Sequence, residues 1–379
     1  MKPTRVAFVV NNLDVGGLER VVISLLTQLD RAKFDPQLIC LSGQGKLFAD
    51  ANLASEATLV LAKRQTSYFG LNIDISSLVA IRRFVVQRSI RLIHAHNAAP
   101  LIYSGLVDRT LARRPRLVYT EHNQIYSTSD KAKKKFRFYI KFADSVVSVS
   151  HDLANTLRVS AGWNRPIKVI HNGIDGHRFE MGRSEKVRAE LGVTDDTFLI
   201  GTGVVLSRQK GISDLIEAAQ RVCAVCPRAV FVIAGDGPLR QELETLGQQS
   251  GLGSQLRFLG LRNDMPQFIA ALDLYVLPSL WEGLPLALCE ALAVGKPIVC
   301  TNVGGNSEVV IDGENGYVVP AADPLALSTA ILKMSSEPHL SETYSKCNRE
   351  RFEQHFSERA MIAAHEELYR RLLGSNLEN

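Results

Sequence analysis

Short runs of apolar, mostly β-branched residues recur along the chain, and between them apolar positions return every three or four residues. The runs predict strands over Val6–Val10, Gln37–Leu41, Leu92–His94, Leu117–Thr120, Ser145–Val149 and Ile167–Ile170. The longer spacing predicts helices between most of them, as over Glu19–Leu29 and Ser76–Gln87. Few runs alternate polar with apolar residues, so each strand needs cover on both faces. That is the pattern of a parallel sheet with helices on either side. After a polar, glycine-containing stretch, Asn172–Glu185, the alternation restarts. New strands are expected over Phe198–Gly201, Val230–Ala234, Leu256–Leu259, Leu274–Leu277, Pro297–Cys300 and Tyr317–Val319. The pattern therefore predicts an α/β chain with two doubly wound, Rossmann-like domains, over residues 1–180 and 181–355. The remainder, 356–379, carries a charged amphipathic helix over Ser357–Leu373, free by sequence to pack back on the first domain.

Composition agrees with this division. A chain of 379 residues exceeds one ordinary core, and 46% apolar with 22% charged residues is a soluble globular profile. No uncharged apolar run reaches the roughly 18 residues a membrane span requires. The opening apolar stretch ends in Asn11, Asn12 and Asp14 and reads as a first strand rather than a signal peptide. The six cysteines suit a reducing, cytoplasmic location, and the lone pair Cys223 and Cys226 reads as helix packing. Charge is uneven. Residues 1–180 hold 26 Lys+Arg and 14 Asp+Glu, a balance of +12, which leaves −7 of the total +5 for the rest. The basic half is expected to meet something anionic.

In doubly wound sheets ligands bind beyond the carboxyl ends of the strands. The first such loop, Asn11 to Glu19, holds Gly16 and Gly17 at the start of a helix, where backbone N–H groups favour anions. It is not a dinucleotide fingerprint, and a plain tight turn explains it as well. The second domain repeats the design with Gly201, Gly203, Arg208, Lys210 and Gly211. A lysine at a helix N-terminus opposes the macrodipole unless it faces a bound diphosphate or lies in solvent. The segment Pro278 to Pro297 says most. Pro285 suits the first turn of a helix, Glu282 falls in the preceding loop, and Glu290 interrupts an apolar helix interior. A carboxylate there needs partners, and sugar or ribose hydroxyls are suitable ones, as is the helix's own N-terminus. Gly304 and Gly305 follow the next strand.

These segments together resemble the retaining glycosyltransferase family 4, which has the GT-B fold of two Rossmann-like domains facing a cleft. The resemblance runs through Gly201 to Gly211, Ala234 to Leu239, Phe258 to Gly260, Pro278 to Pro297 and Val303 to Gly305, with the E-x7-E pair Glu282 and Glu290 as its signature. In the first half it is looser, through Gly16-Gly17, His94-Ala95-His96, Thr120-Glu121-His122, Ser148 to Ser150 and the junction Ile170 to Asp175. It implies that Glu282 holds donor-sugar hydroxyls, Glu290 grips the ribose and Lys210 neutralises the diphosphate. It further implies anion-binding backbone at Gly283, Leu284, Gly16 and Gly17, a base site near Gly260 to Asn263, and His122 near the reacting centre. One departure stands out. Where the family has arginine five residues before the lysine, this chain has Val205, and Arg208 is the candidate replacement.

The implied reaction moves a hexose from a nucleotide-diphosphate sugar, expected to be UDP-linked, to a glycan or polyprenyl-phosphate-linked acceptor with retention of configuration. Negative charge develops on the leaving diphosphate and must be neutralised. The chain has no D-x-D triplet to hold a divalent ion, so metal-independent transfer without a cofactor is expected. Retaining hydrolases use a carboxylate nucleophile; no first-domain carboxylate stands out for that role, and Glu121 is a candidate. The segment Lys131 to Lys141 mixes lysines with aromatics and fits either an interfacial helix on an anionic membrane or a solvated helix with a core-facing stripe. A peripheral position on the inner face of the cell membrane and a place in polysaccharide or lipopolysaccharide assembly are the corresponding expectations. No nucleic-acid module is recognisable. A binding scaffold that has lost catalysis, which Val205 would favour, and a GT-B epimerase are the alternatives.

Overall fold

The computed structural model describes residues 2–62, 73–122, 130–180 and 182–374, without side-chain detail at 130–132 and 338. The side chains of Lys131 and Ala132 therefore lie outside the described residues. The chain divides into two compact units. One holds the residues up to Asn172 together with the helix Glu358–Leu373, and the other runs from Gly173 to Ser357.

The first unit is built on seven parallel strands: β1 Thr4–Val10, β2 Phe34–Cys40, β3 Thr58–Val60, β4 Leu92–His96, β5 Arg116–Glu121, β6 Ser145–Ser148 and β7 Ile167–Val169, in the order β3-β2-β1-β4-β5-β6-β7. The second has six: β8 Phe198–Gly203, β9 Ala229–Ala234, β10 Leu256–Gly260, β11 Leu274–Leu277, β12 Ile298–Thr301 and β13 Gly316–Val319, ordered β10-β9-β8-β11-β12-β13. Each unit is thus a doubly wound, Rossmann-like fold. The expected strands are all present. Among the described residues the one not foreseen is β3, three half-buried residues at a sheet edge, too short to show a pattern in sequence.

Burial explains the sheets. Val6 to Val10 are at most 1% exposed, as are Leu274 to Leu277, so these strands are apolar throughout because helices cover both faces. Each fully buried side chain of this kind contributes ~1.5–3 kcal/mol. The helix Glu358–Leu373 carries Tyr369, fully enclosed against Phe8, Phe34 and His94 of the first unit. Asp30 N donates to Glu366 Oε1 at 2.8 Å on the same side. Cys223 is buried in the helix Ile212–Val225, where burial, and then neighbouring Cys226, pushes its thiol up to about 11. Cys223 is therefore packing, not a reactive thiolate.

Strand order reverses between β1 and β4 in the first sheet and between β8 and β11 in the second. These are the topological switch points, where the carboxyl-end loops diverge and leave a crevice. The loop at Gly16 and Gly17, the loop at Lys210 and the loop at Glu282 all issue from switch-point strands.

Candidate functional site

In the second unit the loops after β8 and β11 are drawn together by glycine. The chain leaves Gly203, passes Val204 and Val205, and forms a short turn over Arg208–Lys210 that ends in Gly211 at φ 60°. That φ favours glycine, and a Cβ on Gly211 would also collide with the Pro278 carbonyl oxygen. Close approach lets Leu280 N donate to Gln209 O at 2.7 Å. Gln209 Nε2 in turn donates to Trp281 O at 2.9 Å and to Glu282 Oε2 at 3.2 Å. Lys210 Nζ then stands 2.5 Å from Glu282 Oε1, which also accepts from Ser279 Oγ at 2.6 Å. Thr301 Oγ1 fixes Ser279 by donating to its carbonyl at 2.5 Å.

Glu282 is only 5% exposed. A carboxylate this buried is costly unless paired, and here one cation and two neutral donors meet it. Behind it, Gly304 at φ 54° lies so near that a Cβ would collide with Glu282 O, and Gly305 N donates to Gly283 O at 2.7 Å. The third loop therefore braces the second.

The helix Leu286–Val294 begins just after Pro285, which at φ −75° and ψ 125° is its N-cap rather than a first-turn residue. This one-residue shift corrects the sequence reading. Glu290 is half-buried on that helix, and Leu284 is buried just before it. Tyr275 on β11 reports both glutamates. Burial first, then the carboxylates of Glu290 and Glu282, push its phenol far up, while a hydrogen bond from Gly203 N opposes the shift. Val205 is 59% exposed, and Arg208 is exposed with no described ion-pair partner. Near the expected base site, Gly260 has φ 69° and Leu261 is exposed, while Arg262 is held by Glu190 at 2.8 and 3.0 Å and by Asp264 at 2.9 and 2.7 Å.

The first unit has a different switch point. Gly16 is the extended N-cap of the helix Gly17–Gln28, and Glu19 in the first turn folds back over it. Burial and, more weakly, Asp14 raise the Glu19 carboxyl, against a backbone hydrogen bond that lowers it. This helix N-terminus thus already faces a carboxylate of its own. Beyond β4, Asn97 takes φ 70°, a left-handed value uncommon outside glycine. Its N–H donates to Thr120 O at 2.9 Å, and its Oδ1 lies 3.4 Å from His122 N.

Around these strand ends sits a buried cluster of histidines. His96 Nδ1 and His122 Nε2 are 2.9 Å apart. His94 bonds Tyr369 through Nδ1 and Thr120 through Nε2, both at 2.6 Å. His365 Nδ1 meets Met361 O at 2.9 Å. Burial holds His94 and His96 well below the usual imidazole range, and neighbouring histidines add to the shift. Burial, then His365, brings His122 down to about 3, and burial brings His365 to about 4 despite its backbone hydrogen bond. Glu121 is fully enclosed, accepting from the Tyr119 hydroxyl and, at 3.0 Å, from His122 N. That is the place of an anchor for the strand end rather than an open nucleophile.

The structure thus joins Glu282 to Lys210 in one unit and sets His122 in the other. It adds Ser279, Gln209, His96 and Asn97, which carry no assigned role from sequence. Ser279 had a signal in hindsight, being a polar residue enclosed beside an apolar strand. Among the described residues no helix is long and apolar enough to cross a membrane.

Comparison with known proteins places this geometry. The glycosyl transferases group 1 family model matches residues 183–351, and the Glycosyltransferase Family 4 model matches 15–178. A UDP-Gal:alpha-D-GlcNAc-diphosphoundecaprenol alpha-1,3-galactosyltransferase of Escherichia coli is 27% identical over 88% of each chain. A lipopolysaccharide core biosynthesis mannosyltransferase, LpsB of Rhizobium meliloti, is 30% identical over 67% of this chain and 72% of its own. Among solved structures, HepE of Anabaena in complex with UDP superposes with a TM-score of 0.83 at 23% identity, covering 97% of this chain and 99% of that one, a likeness of fold. With each half matched by a glycosyltransferase family model and a relative at 30% identity aligned over most of its length, the chain belongs to glycosyltransferase family 4 and is a GT-B glycosyltransferase.

Proposed function

We propose that this enzyme transfers a hexose from a UDP-linked donor to a lipid-linked or glycan acceptor, with retention of configuration and without a metal ion. The carrying observation is the pair of half-buried Lys210 and buried Glu282 at the switch point of the second sheet, with Glu290 on the next helix. A carboxylate already braced by Ser279 and Gln209 is preorganised to accept hydrogen bonds from sugar hydroxyls. Glu290, half-buried on the following helix, suits a ribose. Lys210 and the exposed Arg208 supply positive charge for the leaving diphosphate, Arg208 in place of the arginine lost at Val205. Backbone at Gly283 and Leu284, and at Gly16 and Gly17, is proposed to add N–H donors. The Glu19 carboxylate beside Gly16 makes that last contribution the weakest. The UDP and diphosphoundecaprenol in the Escherichia coli relative's name, and the UDP bound by HepE, support the donor and acceptor classes.

The membrane reading rests on the helix Asp130–Tyr139 and the residues after it. Phe136 and Ile140 turn into the core, while Phe138 is 62% exposed beside Lys134, Arg137 and Lys141. The exposed ring amid cations suits peripheral binding to an anionic membrane carrying a polyprenyl-linked acceptor.

Thermal shift against UDP-, GDP- and ADP-sugars, with and without EDTA, tests the donor assignment. A ligand at ~100 times its dissociation constant stabilises by about 2.7 kcal/mol. Stabilisation by UDP-sugars alone, indifferent to EDTA and lost in Glu290→Ala, is the expected result. No response to a UDP-sugar, or one abolished by EDTA, overturns it.

A further inference from the structure

The amino ends of β11 and β12, in the second unit, border a pocket of about 200 Å³. The loops at Lys210 and Glu282 leave the carboxyl ends of the same sheet, so a strand's length separates the pocket from them. For the four residues of β11 that is roughly 13 Å. The charged and hydroxyl-bearing lining is Arg183, Asp273, Lys296, Ser341, Ser345 and Arg349.

Helical spacing and one close approach build this lining. Ser341, Ser345 and Arg349 recur every four residues on the helix Pro338–Arg351 and so share one face. Buried Asn348 on that helix donates through Nδ2 to Lys296 O at 2.7 Å, which pins the helix to the segment entering β12. Gly295 ends the helix Leu286–Val294 at φ 77°. Its missing side chain makes room, for Ser345 Oγ and Arg349 Nη1 each lie 2.9 Å from where a Cβ would stand.

The charges around the pocket do not balance. Lys296 Nζ donates to Ala270 O at 2.8 Å and to Leu272 O at 2.6 Å, which leaves one of its three N–H groups unused. Arg349 reaches only a carbonyl, Val294 O at 3.3 Å. Among the described residues neither cation has an ion-pair partner, and the hydroxyls of Ser341 and Ser345 meet no hydrogen-bond partner. Asp273 is the one carboxylate of the lining, and its Oδ2 already accepts from Arg188 Nη1 at 3.1 Å and Leu199 N at 2.7 Å. Arg183 turns to two exposed carboxylates, Glu185 at 3.4 Å and Asp195 at 3.1 Å, and so contributes less. Burial holds the Lys296 ammonium down to about 8; Asp273 opposes that shift, and Arg183, Arg188 and Arg349 add to it. An enclosed amine among like charges is costly until an anion joins it.

We propose that this pocket is a second ligand site, which binds a phosphoryl group between Lys296, Arg349, Ser341 and Ser345. The ammonium comes from the β12 side, and the guanidinium and both hydroxyls come from the helix. A tetrahedral oxyanion has enough oxygens to accept from all of them, whereas the two oxygens of a carboxylate do not. The site is separate from the one proposed for the donor diphosphate and does not depend on that reading.

The probe is inorganic phosphate, titrated calorimetrically into the full chain at fixed ionic strength. Phosphate that enters the donor site does so equally in the unmodified protein and in Arg349→Gln, so the difference between the two reads the pocket alone. Saturable binding should weaken roughly tenfold or more in Arg349→Gln and in Lys296→Met, the worth of one charge-assisted hydrogen bond. Ser345→Ala should weaken it about threefold, as for a neutral one. Sulfate should compete and acetate should not. Because Lys296 is held near 8, sulfate binding at pH ~8.5 should take up a proton, seen as a heat that varies with the buffer, and Lys296→Met should lose that uptake. Absence of saturable phosphate binding overturns the proposal. Equal affinity in the unmodified protein and Arg349→Gln does so too, as does acetate binding as tightly as phosphate. If Lys296→Met does not fold, Arg349→Gln and Ser345→Ala still decide the matter. Vesicles of phosphatidylglycerol separate the two sources of a phosphoryl group. Sedimentation that phosphate competes and Arg349→Gln abolishes assigns a lipid headgroup, and sedimentation indifferent to that substitution assigns a soluble phosphate ester.

Discussion

The two switch points are built alike and furnished differently. In the second sheet the crevice loops carry an ion pair, Lys210 with Glu282, supported by two neutral donors. In the first sheet the corresponding strand ends carry His94, His96 and His122, all driven toward the neutral form by burial. Charge therefore sits where a charged leaving group is proposed, and uncharged donors sit in the other unit. A permanently charged pair stays useful across a wide pH range, but breaking it leaves a buried ion. A neutral cluster tolerates loss of one member better, yet it is exposed to acid. The same fold has two ways of keeping polar groups dry, and they fail under different stresses.

Lys210→Ala is the sharpest way to break the charged side. It strands Glu282 without a cation, and losing one partner of a buried pair costs about 3–5 kcal/mol. Transfer should fall by ~100-fold or more, as for loss of one electrostatic donor at a developing charge. Steady-state kinetics and urea denaturation measure both. The double variant Lys210→Ala with Glu282→Gln should recover stability without recovering turnover. Recovery of turnover would show that the pair is merely structural.

Next in size is Gly304→Ala. Its φ of 54° and the carbonyl of Glu282 leave no place for a methyl group, so destabilisation of about 3 kcal/mol is expected. Donor affinity should drop as well, because the Glu282 loop must move. An unchanged melting temperature would mean that the loop yields easily and that Glu282 is not rigidly held.

Acid should strike the first unit. His122 and His365 have folded-state values of about 3 and about 4, below the ordinary value near 6.5 of an unfolded chain. Below pH ~6.5 the unfolded state binds the extra proton, so stability falls as pH drops from there toward the folded values. Above that range these groups contribute no pH dependence. At pH 5.5 the loss is about 1.4 kcal/mol for each histidine. The chain has two tryptophans, buried Trp163 in the first unit and half-exposed Trp281 in the second. Single Trp→Phe variants therefore let fluorescence follow each unit separately. Acid sensitivity confined to Trp281 would contradict the histidine argument.

The smallest expected effect is on the surface. Phe138→Ser should change stability by under about 0.5 kcal/mol, since the ring is 62% exposed. Sedimentation with vesicles containing anionic lipid should nonetheless decrease. Binding that ignores both the substitution and the lipid charge would remove the membrane reading.

Much of this architecture was legible in the chain. Strands such as Leu274–Leu277 appeared with their observed bounds because a doubly covered strand must be apolar at every position. The strand β3 was not legible, since three edge residues with half-buried side chains carry no period. The loops at Lys210 and at Gly304 and Gly305 stood out by their glycines, and φ values of 60° at Gly211 and 54° at Gly304 give the reason. What no spacing indicated was that Lys210 meets Glu282, separated by 72 positions. His122 was visible as part of a motif, but its partner His96 comes from a neighbouring strand, 26 residues earlier.

The division is a physical one. Sequence by itself determined the local and periodic features: which segments are strands, where glycine must relieve the backbone, and where a carboxylate interrupts an apolar helix. These depend on each residue's own sterics and solvation. Tertiary structure alone decided which polar groups share a hydrogen bond, how far burial shifts each histidine and which nitrogens remain unpaired. Those properties belong to pairs of residues brought together by parallel strand order, and the energy of a buried charge or a shared proton exists only once the neighbours are in place.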